Sequence, residues 1–348
     1  MSTSEGLLRV SLIAKEEAAD WDRYVRGQQS ATIYHLHSWR DLITDVFQRE
    51  TYYLAAKQDT RISGVLPLVR LKSIIFGDFL VSLPYVNYGG VLADSSTAAQ
   101  ALIMQGCQIA DDLNVRHMEL RHTVDYDELE TRRDKVSMHL QLQHDSDLQW
   151  KMLGSKLRAQ IKRPQRENAV CEIGGVELVD NFYGVFAEKY RDLGTPVYSR
   201  LLFSSILRRF PDAAKVVLIK VDGVAVAASI VLGFGGKLEV PWAASVRSAD
   251  RFGVNMLLYW SMIKFAIEAG YHTFDFGRST PDSGTYRFKK QWGAQPVALY
   301  WHYFLRNGSE MPRLNAGNPK YRLAIGLWKR MPVWLANVIG PRIVKNLP

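Results

Sequence analysis

Two cysteines stand in 348 residues, Cys107 and Cys171, and neither belongs to a Cys-x-x-Cys pair or sits at ligand spacing from a histidine. That excludes a disulfide framework and a thiolate metal centre, and it fits a reducing compartment. The eight histidines are scattered, so they argue for no metal site either. Also missing is any unbroken run of about 18 apolar residues, the length a membrane-spanning helix requires. The opening residues MSTSEGLLRV lack the charged stretch and apolar core of a secretory signal. No Ser-His-Asp or Cys-His grouping is visible, which disfavours catalysis through a covalent enzyme intermediate.

What is present is an ordinary globular composition, 47% hydrophobic and 23% charged, long enough for two domains and an appendage. The net charge of +9 is unevenly divided. Residues 1–150 hold 15 Lys+Arg against 21 Asp+Glu, whereas residues 151–348 hold 29 against 14. A clustered positive field of that size suits a phosphate-bearing partner: RNA, a coenzyme diphosphate, a nucleotide-sugar or an anionic membrane face. The competing explanation is solubility alone.

Along the chain, short helices are expected at 15–29 and 38–48, then strands at 52–56, 65–69 and 79–83. In SLPYVNYGGVLAD (82–94), Pro84 and the pair Gly89-Gly90 interrupt a strand, which signals either a bulge or a close backbone approach to a ligand. In the second case Asn87 and Tyr88 point polar groups into the gap. A helix at 97–113 ends at Asn114 and leads to a strand at 117–121. The same run of elements returns later in the chain: 101–113 lies over 257–269, Asn114 over Gly270, and 118–120 over 274–276, all at one offset. Such a pattern indicates two halves with one topology. A strand at 136–142 is expected to close the first domain.

From 147 a basic helix carries Lys151, Arg158 and Lys162 opposite Trp150, Leu153, Leu157 and Ile161 until Pro164 disrupts it. Its cations are either solvated or in contact with an anion. The second half then reads strand 169–173, helices 177–193 and 200–209, strands 214–221, 224–234 and 237–246, helix 255–269, and strands 272–276 and 297–305. This is α+β, with a mostly antiparallel sheet entered by one helix-to-parallel-strand crossover. The closing stretch, 311–348, holds seven Lys+Arg and no acid, interleaved with Trp328, Met331, Trp334, Val338 and Ile339. That is the composition of a segment lying in a membrane interface, though Pro332 and Pro341 prevent one long helix; packing onto the domains is the alternative. The predicted domains are 1–146, 147–308 and a basic aromatic tail, 309–348.

Two stretches carry chemistry. Strand, turn and helix at 240–258 resemble a phosphate cradle, in which backbone N–H groups at a helix start face an anion. Gly253 and Asn255 with Arg247 and Arg251 are the candidate cofactor-binding residues, against a plain helix cap by Ser248 or Asp250. The second stretch, FDFGRSTPDSGTYRFKKQWG (274–293), runs from an apolar strand through a turn into a cationic-aromatic cluster.

FGDFLVSLPYVNYGGVLAD (76–94), SKLRAQIKRPQREN (155–168), FGVNMLLYWSMIKFAIEAG (252–270), FDFGRSTPDSGTYRFKKQWGA (274–294) and the tail 318–348 together resemble the FemAB-type branch of the GNAT-fold N-acyltransferases. Within it, the group associated with PEP-CTERM/exosortase systems of exopolysaccharide-producing bacteria is the most similar. The resemblance implies tandem GNAT-like domains. It also implies transfer of an acyl group, aminoacyl from aminoacyl-tRNA in the characterised branch, onto an amine of a cell-envelope or polysaccharide precursor. It implies no permanently bound cofactor, and a donor that is either aminoacyl-tRNA or acyl-CoA. The oxyanion-stabilising lysine of the family matches Lys289 or Lys290. Asp275, Tyr286 or a water is the candidate to take the ammonium proton, Asp275 having a rival role as ion-pair partner of Arg278. Arg278 and Trp292 are candidates for substrate contact, and Arg158 and Arg163 match basic family positions that hold substrate phosphate or cap the domain junction.

The expected protein is thus a cytoplasmic N-acyltransferase, peripheral at the inner membrane face through its tail. The rivals are an acyl-CoA-dependent acetyltransferase-like enzyme and a non-catalytic protein that binds anionic membrane or RNA.

Overall fold

In the computed structural model, which describes residues 7–126, 129–306, 310–312 and 319–347, the chain forms two compact units. The first comprises Met1–Val136, Val297–Pro312 and Asn346–Pro348, and the second comprises Ser137–Pro296 and Arg313–Lys345.

In chain order the elements begin β1 (Leu8–Leu12), α1 (Ala18–Gly27), α2 (His37–Leu42), β2 (Thr51–Gln58), β3 (Arg61–Ser73), β4 (Gly77–Val81), β5 (Leu92–Ala93), α3 (Ser96–Asp112), β6 (His117–His122) and β7 (Glu130–Arg132). There follow β8 (Val136–Gln141), α4 (Ser146–Met152), α5 (Ser155–Gln165), β9 (Val170–Gly174), α6 (Val179–Leu193), α7 (Arg200–Arg209), β10 (Ala214–Val221), β11 (Val224–Phe234) and β12 (Lys237–Ser245). The last are α8 (Val254–Glu268), β13 (Thr273–Ser279), α9 (Gly284–Lys290), β14 (Gln295–Ala298), β15 (Tyr300–Leu305), α10 (Pro319–Lys329) and α11 (Val333–Val344).

Each unit has its own sheet. The first runs β1-β2-β3-β4-β6-β15-β7, with β5 beside β3; the second runs β9-β10-β11-β12-β13-β8-β14. Position by position the two orders correspond. Each contains a parallel pair, β4 with β6 and β12 with β13, joined by a crossover helix, α3 or α8. The internal repeat is therefore real at the level of geometry. The step from the start of β6 at His117 to that of β13 at Thr273 equals the step from the end of α3 at Asp112 to that of α8 at Glu268. Asn114 (φ 56°) and Gly270 (φ 80°) both end their helices in the left-handed conformation.

The correspondence also corrects the expected strand assignments. The strand at 136–142, expected to close the first domain, lies between β13 and β14 in the second sheet. The strand at 297–305, expected in the second domain, supplies β15, which pairs with β6 and β7 in the first. Alternation of apolar and polar residues fixes which face of a strand is buried, but not which sheet takes it. β1, β7 and α9 are further elements that the sequence pattern does not announce.

Burial follows from these layers. Leu102, Ala98 and Ala110 of α3 lie against Leu54, Leu66, Leu68, Leu80 and Met118 of the first sheet, while Trp21 of α1 packs its ring 5.1 Å from Tyr53. In the second unit consecutive residues of β10 and β11 are buried, so that sheet is covered on both faces. Phe203 of α7 packs edge-on to Phe182 and Phe186 of α6 and to Trp242 of β12. Leu258, Met262 and Ile263 of α8 are buried as well.

The basic helix is two helices. α4 ends at Met152, the backbone is extended at Leu153, and α5 restarts after Gly154, so Lys151 does not share a helical face with Arg158 and Lys162. Pro164 sits inside the last turn of α5 and does not end it. The tail forms α10 and α11 in the second unit, where Gly340 packs on the Val197 backbone and Arg191 donates to the Met331 carbonyl at 2.9 Å. Trp328 and Ala336 are buried, whereas Leu327, Trp334 and Val338 stay exposed. Among the described residues no helix is long and apolar enough to cross a membrane.

Candidate active site

The C-terminal end of β13 is where chemistry-bearing side chains converge in the second unit. At Gly277 the strand takes a φ of +75°, a conformation that disfavours any residue with a Cβ. The chain then passes through Asp282 (φ 59°), and Ser283 caps α9 by accepting the Tyr286 N–H at 3.2 Å. Phe288 and Trp292 anchor the helix: Phe288 packs edge-on to Tyr259 of α8 at 5.0 Å, and Trp292 lies 6.5 Å from Phe276 of β13.

That anchoring turns Lys289 inward and Lys290 outward. Lys289 is only 7% exposed, and its Nζ donates to the carbonyls of Gly277 and Arg278, each at 2.9 Å. An ammonium has three N–H donors, so one remains beyond these two. Burial holds the Lys289 ammonium down to a pKa of about 8, with Arg278 pressing the same way and Asp275 opposing. Lys290 is exposed, with its Nζ 5.8 Å from the centre of the half-buried Tyr286 ring.

Asp275, on β13, is fully buried. Its Oδ1 accepts from the Ser137 hydroxyl at 2.7 Å and from the Gly277 N–H at 2.8 Å, and its Oδ2 lies 3.1 Å from His139 Nε2. Gly277 thus joins the two charged groups, giving its N–H to Asp275 and its carbonyl to Lys289. Arg278, the expected ion-pair partner, is an exposed residue on the same strand, and β8 also holds Asp275.

Ser137 and His139 are not singled out by the sequence motifs. Their signal is the alternation Val-Ser-Met-His-Leu-Gln of β8, which places Ser137, His139 and Gln141 on one face, but the sequence pattern assigns that strand to the other domain. Trp292, expected at the substrate, is 2% exposed and belongs to the aromatic packing under α9.

The strand-turn-helix expected at 240–258 is formed. β12 leads into a 3₁₀ turn at Arg247–Phe252, and Gly253 (φ 74°) opens α8. Arg247, Arg251 and Asn255 are exposed around that helix start, an arrangement suited to an anionic group. On α5, Arg158 is half-buried and Arg163 exposed. Asn87 and Tyr88 belong to the first unit, where Asn87 is half-buried and Tyr88 buried.

Residues 155–290 match the family described as Acetyltransferase (GNAT) domain, a span that ends with α9 and includes Asp275 and Lys289. No curated protein matches the chain. Among solved structures, that of FemX is similar at a TM-score of 0.65 and 14% identity, over 91% of this chain and 100% of that one. The C-terminal domain of a putative lysylphosphatidylglycerol synthetase from Agrobacterium fabrum gives 0.56 and 14%, over 84% and 92%. A tandem GNAT protein from the clavulanic acid biosynthesis pathway gives 0.54 and 10%, over 87% and 100%. The chain has the mixed α/β, two-sheet fold of these tandem GNAT-like proteins, and its second unit carries the match to the GNAT acetyltransferase domain.

Proposed function

We propose that the protein is an N-acyltransferase of the FemAB type, moving an acyl or aminoacyl group onto an amine of a cell-envelope or exopolysaccharide-related precursor. The observation that carries this reading is the buried Lys289, held by two carbonyls with a third N–H to spare, at the end of a segment matching a GNAT acetyltransferase domain. Attack of an amine on an acyl carbon puts negative charge on the carbonyl oxygen. A fixed donor in a poorly solvated place stabilises that charge far better than water does.

The C–N bond forms as the amine attacks; the tetrahedral oxyanion is met by Lys289, and its collapse expels the donor's thiolate or ribose oxygen. The ammonium proton must leave. With both oxygens of Asp275 engaged, the direct role passes to His139, whose Nε2 faces that carboxylate and which Asp275 orients. Lys290, exposed beside the half-buried Tyr286 ring, is too far out to hold the oxyanion in this reading and is not needed for turnover.

Arg247, Arg251, Gly253 and Asn255 at the start of α8 favour a donor with a diphosphate, an acyl-CoA, over aminoacyl-tRNA. The exposed Leu327, Trp334 and Val338 of the tail support peripheral contact with the membrane that carries the precursor. Isothermal titration of CoA against charged tRNA separates the donors, and failure to bind either one contradicts the reading. Because transfer is direct, labelled donor alone leaves no acyl group on the protein; a trapped acyl-enzyme contradicts that step.

A further inference from the structure

We propose that the first unit contains a second binding site, a cavity at the head of β4 and β6 that receives an uncharged carbonyl oxygen, of an amide or acyl group, on the Nε2–H of His122. The cavity measures about 30 Å³ and is lined by His35, Tyr88, Gly89, Gly90, Arg121 and His122, with the exposed Ser30, Thr123 and Val124 at its mouth. That is room for about two waters, or for a carbonyl group with its carbon.

The proton positions follow from a chain of fixed donors. His302 Nε2 faces two groups, the backbone N–H of Tyr126 at 2.9 Å and the Asp125 carboxylate at 3.3 Å; the hydrogen of a backbone amide is fixed and the nearer contact is its donation, so that nitrogen carries a lone pair. A neutral His302 then bears its hydrogen on Nδ1, which lies 2.9 Å from His122 Nδ1. The latter must accept, which leaves the hydrogen of His122 on Nε2. His122 Nε2 is buried with no hydrogen-bond partner, an arrangement that is costly unless something fills it.

His35 follows the same logic. Its Nδ1 faces the Thr32 N–H at 3.2 Å, and its Nε2 lies 3.1 Å from the Gly90 carbonyl, so its hydrogen is already committed. Burial pushes His35, His122 and His302 below the ordinary imidazole range, His35 to about 4, which keeps all three neutral; Asp125, beside His302, is itself paired with Arg133. Among the described residues no group of three such side chains is placed to hold a metal ion.

The ligand's lack of charge follows from the lining. Arg121, the cation in the wall, is spent on Glu119 at 2.8 Å and on the Val86 carbonyl, so an anion entering here finds no available counter-charge. The glycine pair in NYGG makes the site possible. A Cβ at Gly90 would lie 2.1 Å from His122 Cδ2, and one at Gly89 (φ +146°) 2.6 Å from Leu83 Cβ. The close approach that the sequence signals at these glycines is to the His122 ring and to Leu83. This inference stands apart from the acyl-transfer reading, because it uses none of the residues around Lys289.

The test uses the full chain with ¹⁵N-labelled histidine and long-range ¹H–¹⁵N correlation spectra, the probes being N-methylacetamide and, as the anionic control, acetate. His122 is expected as the Nε2–H tautomer, with its Nε2 resonance moving on addition of N-methylacetamide and not of acetate. In a Val124→Trp variant, which obstructs the mouth from an exposed position, the tautomer should persist and the response disappear. A His122 protonated on Nδ1, silence toward N-methylacetamide, an equal or larger response to acetate, or a response that survives Val124→Trp would each overturn the proposal.

Discussion

Glu119 and Asp275 hold the same place in two different sheets. Each is the third residue of the parallel strand that follows the crossover helix, opposite Val81 of β4 in one case and Glu239 of β12 in the other. Their surroundings have diverged. Glu119 is paired with Arg121 at 2.8 Å and accepts from the Tyr303 hydroxyl at 2.8 Å, a closed set of partners. Asp275 faces Ser137 and His139, and just beyond it, at Gly277, the strand meets Lys289.

From that difference the two acids should respond differently to substitution. Glu119→Ala leaves Arg121, 3% exposed, as a buried charge without its carboxylate, and should destabilise the protein by about 3–5 kcal/mol. Chemical denaturation would show it as a lowered midpoint. Asp275→Asn keeps shape and the Ser137 contact, so its main effect should fall on turnover.

The strand order predicts how the chain divides. Residues 1–146 expressed alone lack β15, whose Tyr303 and His302 are buried between β6 and β7, and expose the edges of those strands. This fragment should aggregate or lack a cooperative melt. A fusion of 1–136 to 297–306 through a flexible linker should restore one, as followed by circular dichroism.

The helix-strand repeat was legible because it rests on local signals: apolar spacing in 97–113 and 255–269, and a left-handed residue, Asn114 or Gly270, at each helix end. The pairing of β8 and β15 was not, since Ser137 and His139 find Asp275 across a long stretch of chain by register alone. Which of Lys289 and Lys290 is buried depends on α9. Successive residues on a helix point about 100° apart. The short α9 opens in the turn residues Ser283 and Gly284, where apolar periodicity is too brief to reveal its phase.

Lys289 sets the expected pH dependence. In the proposed reaction its ammonium form is the active one, and burial lowers its pKa to about 8, so turnover should decline as pH rises through about 8. Deprotonation of the acceptor amine produces the opposing rise at lower pH. In Lys289→Gln the alkaline decline should vanish, leaving only the rise; initial rates across the pH range decide it.

The most direct measurement compares kcat of Lys289→Gln and Lys290→Gln, using the donor identified by titration and an amine acceptor. Loss of one oxyanion donor costs about 10²–10³ in kcat, and Lys289→Gln should show that loss with donor affinity little changed. Lys290→Gln, altering an exposed side chain, should keep turnover near that of the unaltered protein. Full turnover by Lys289→Gln, or a loss confined to Lys290→Gln, would contradict the placement of the reaction at the Gly277 corner.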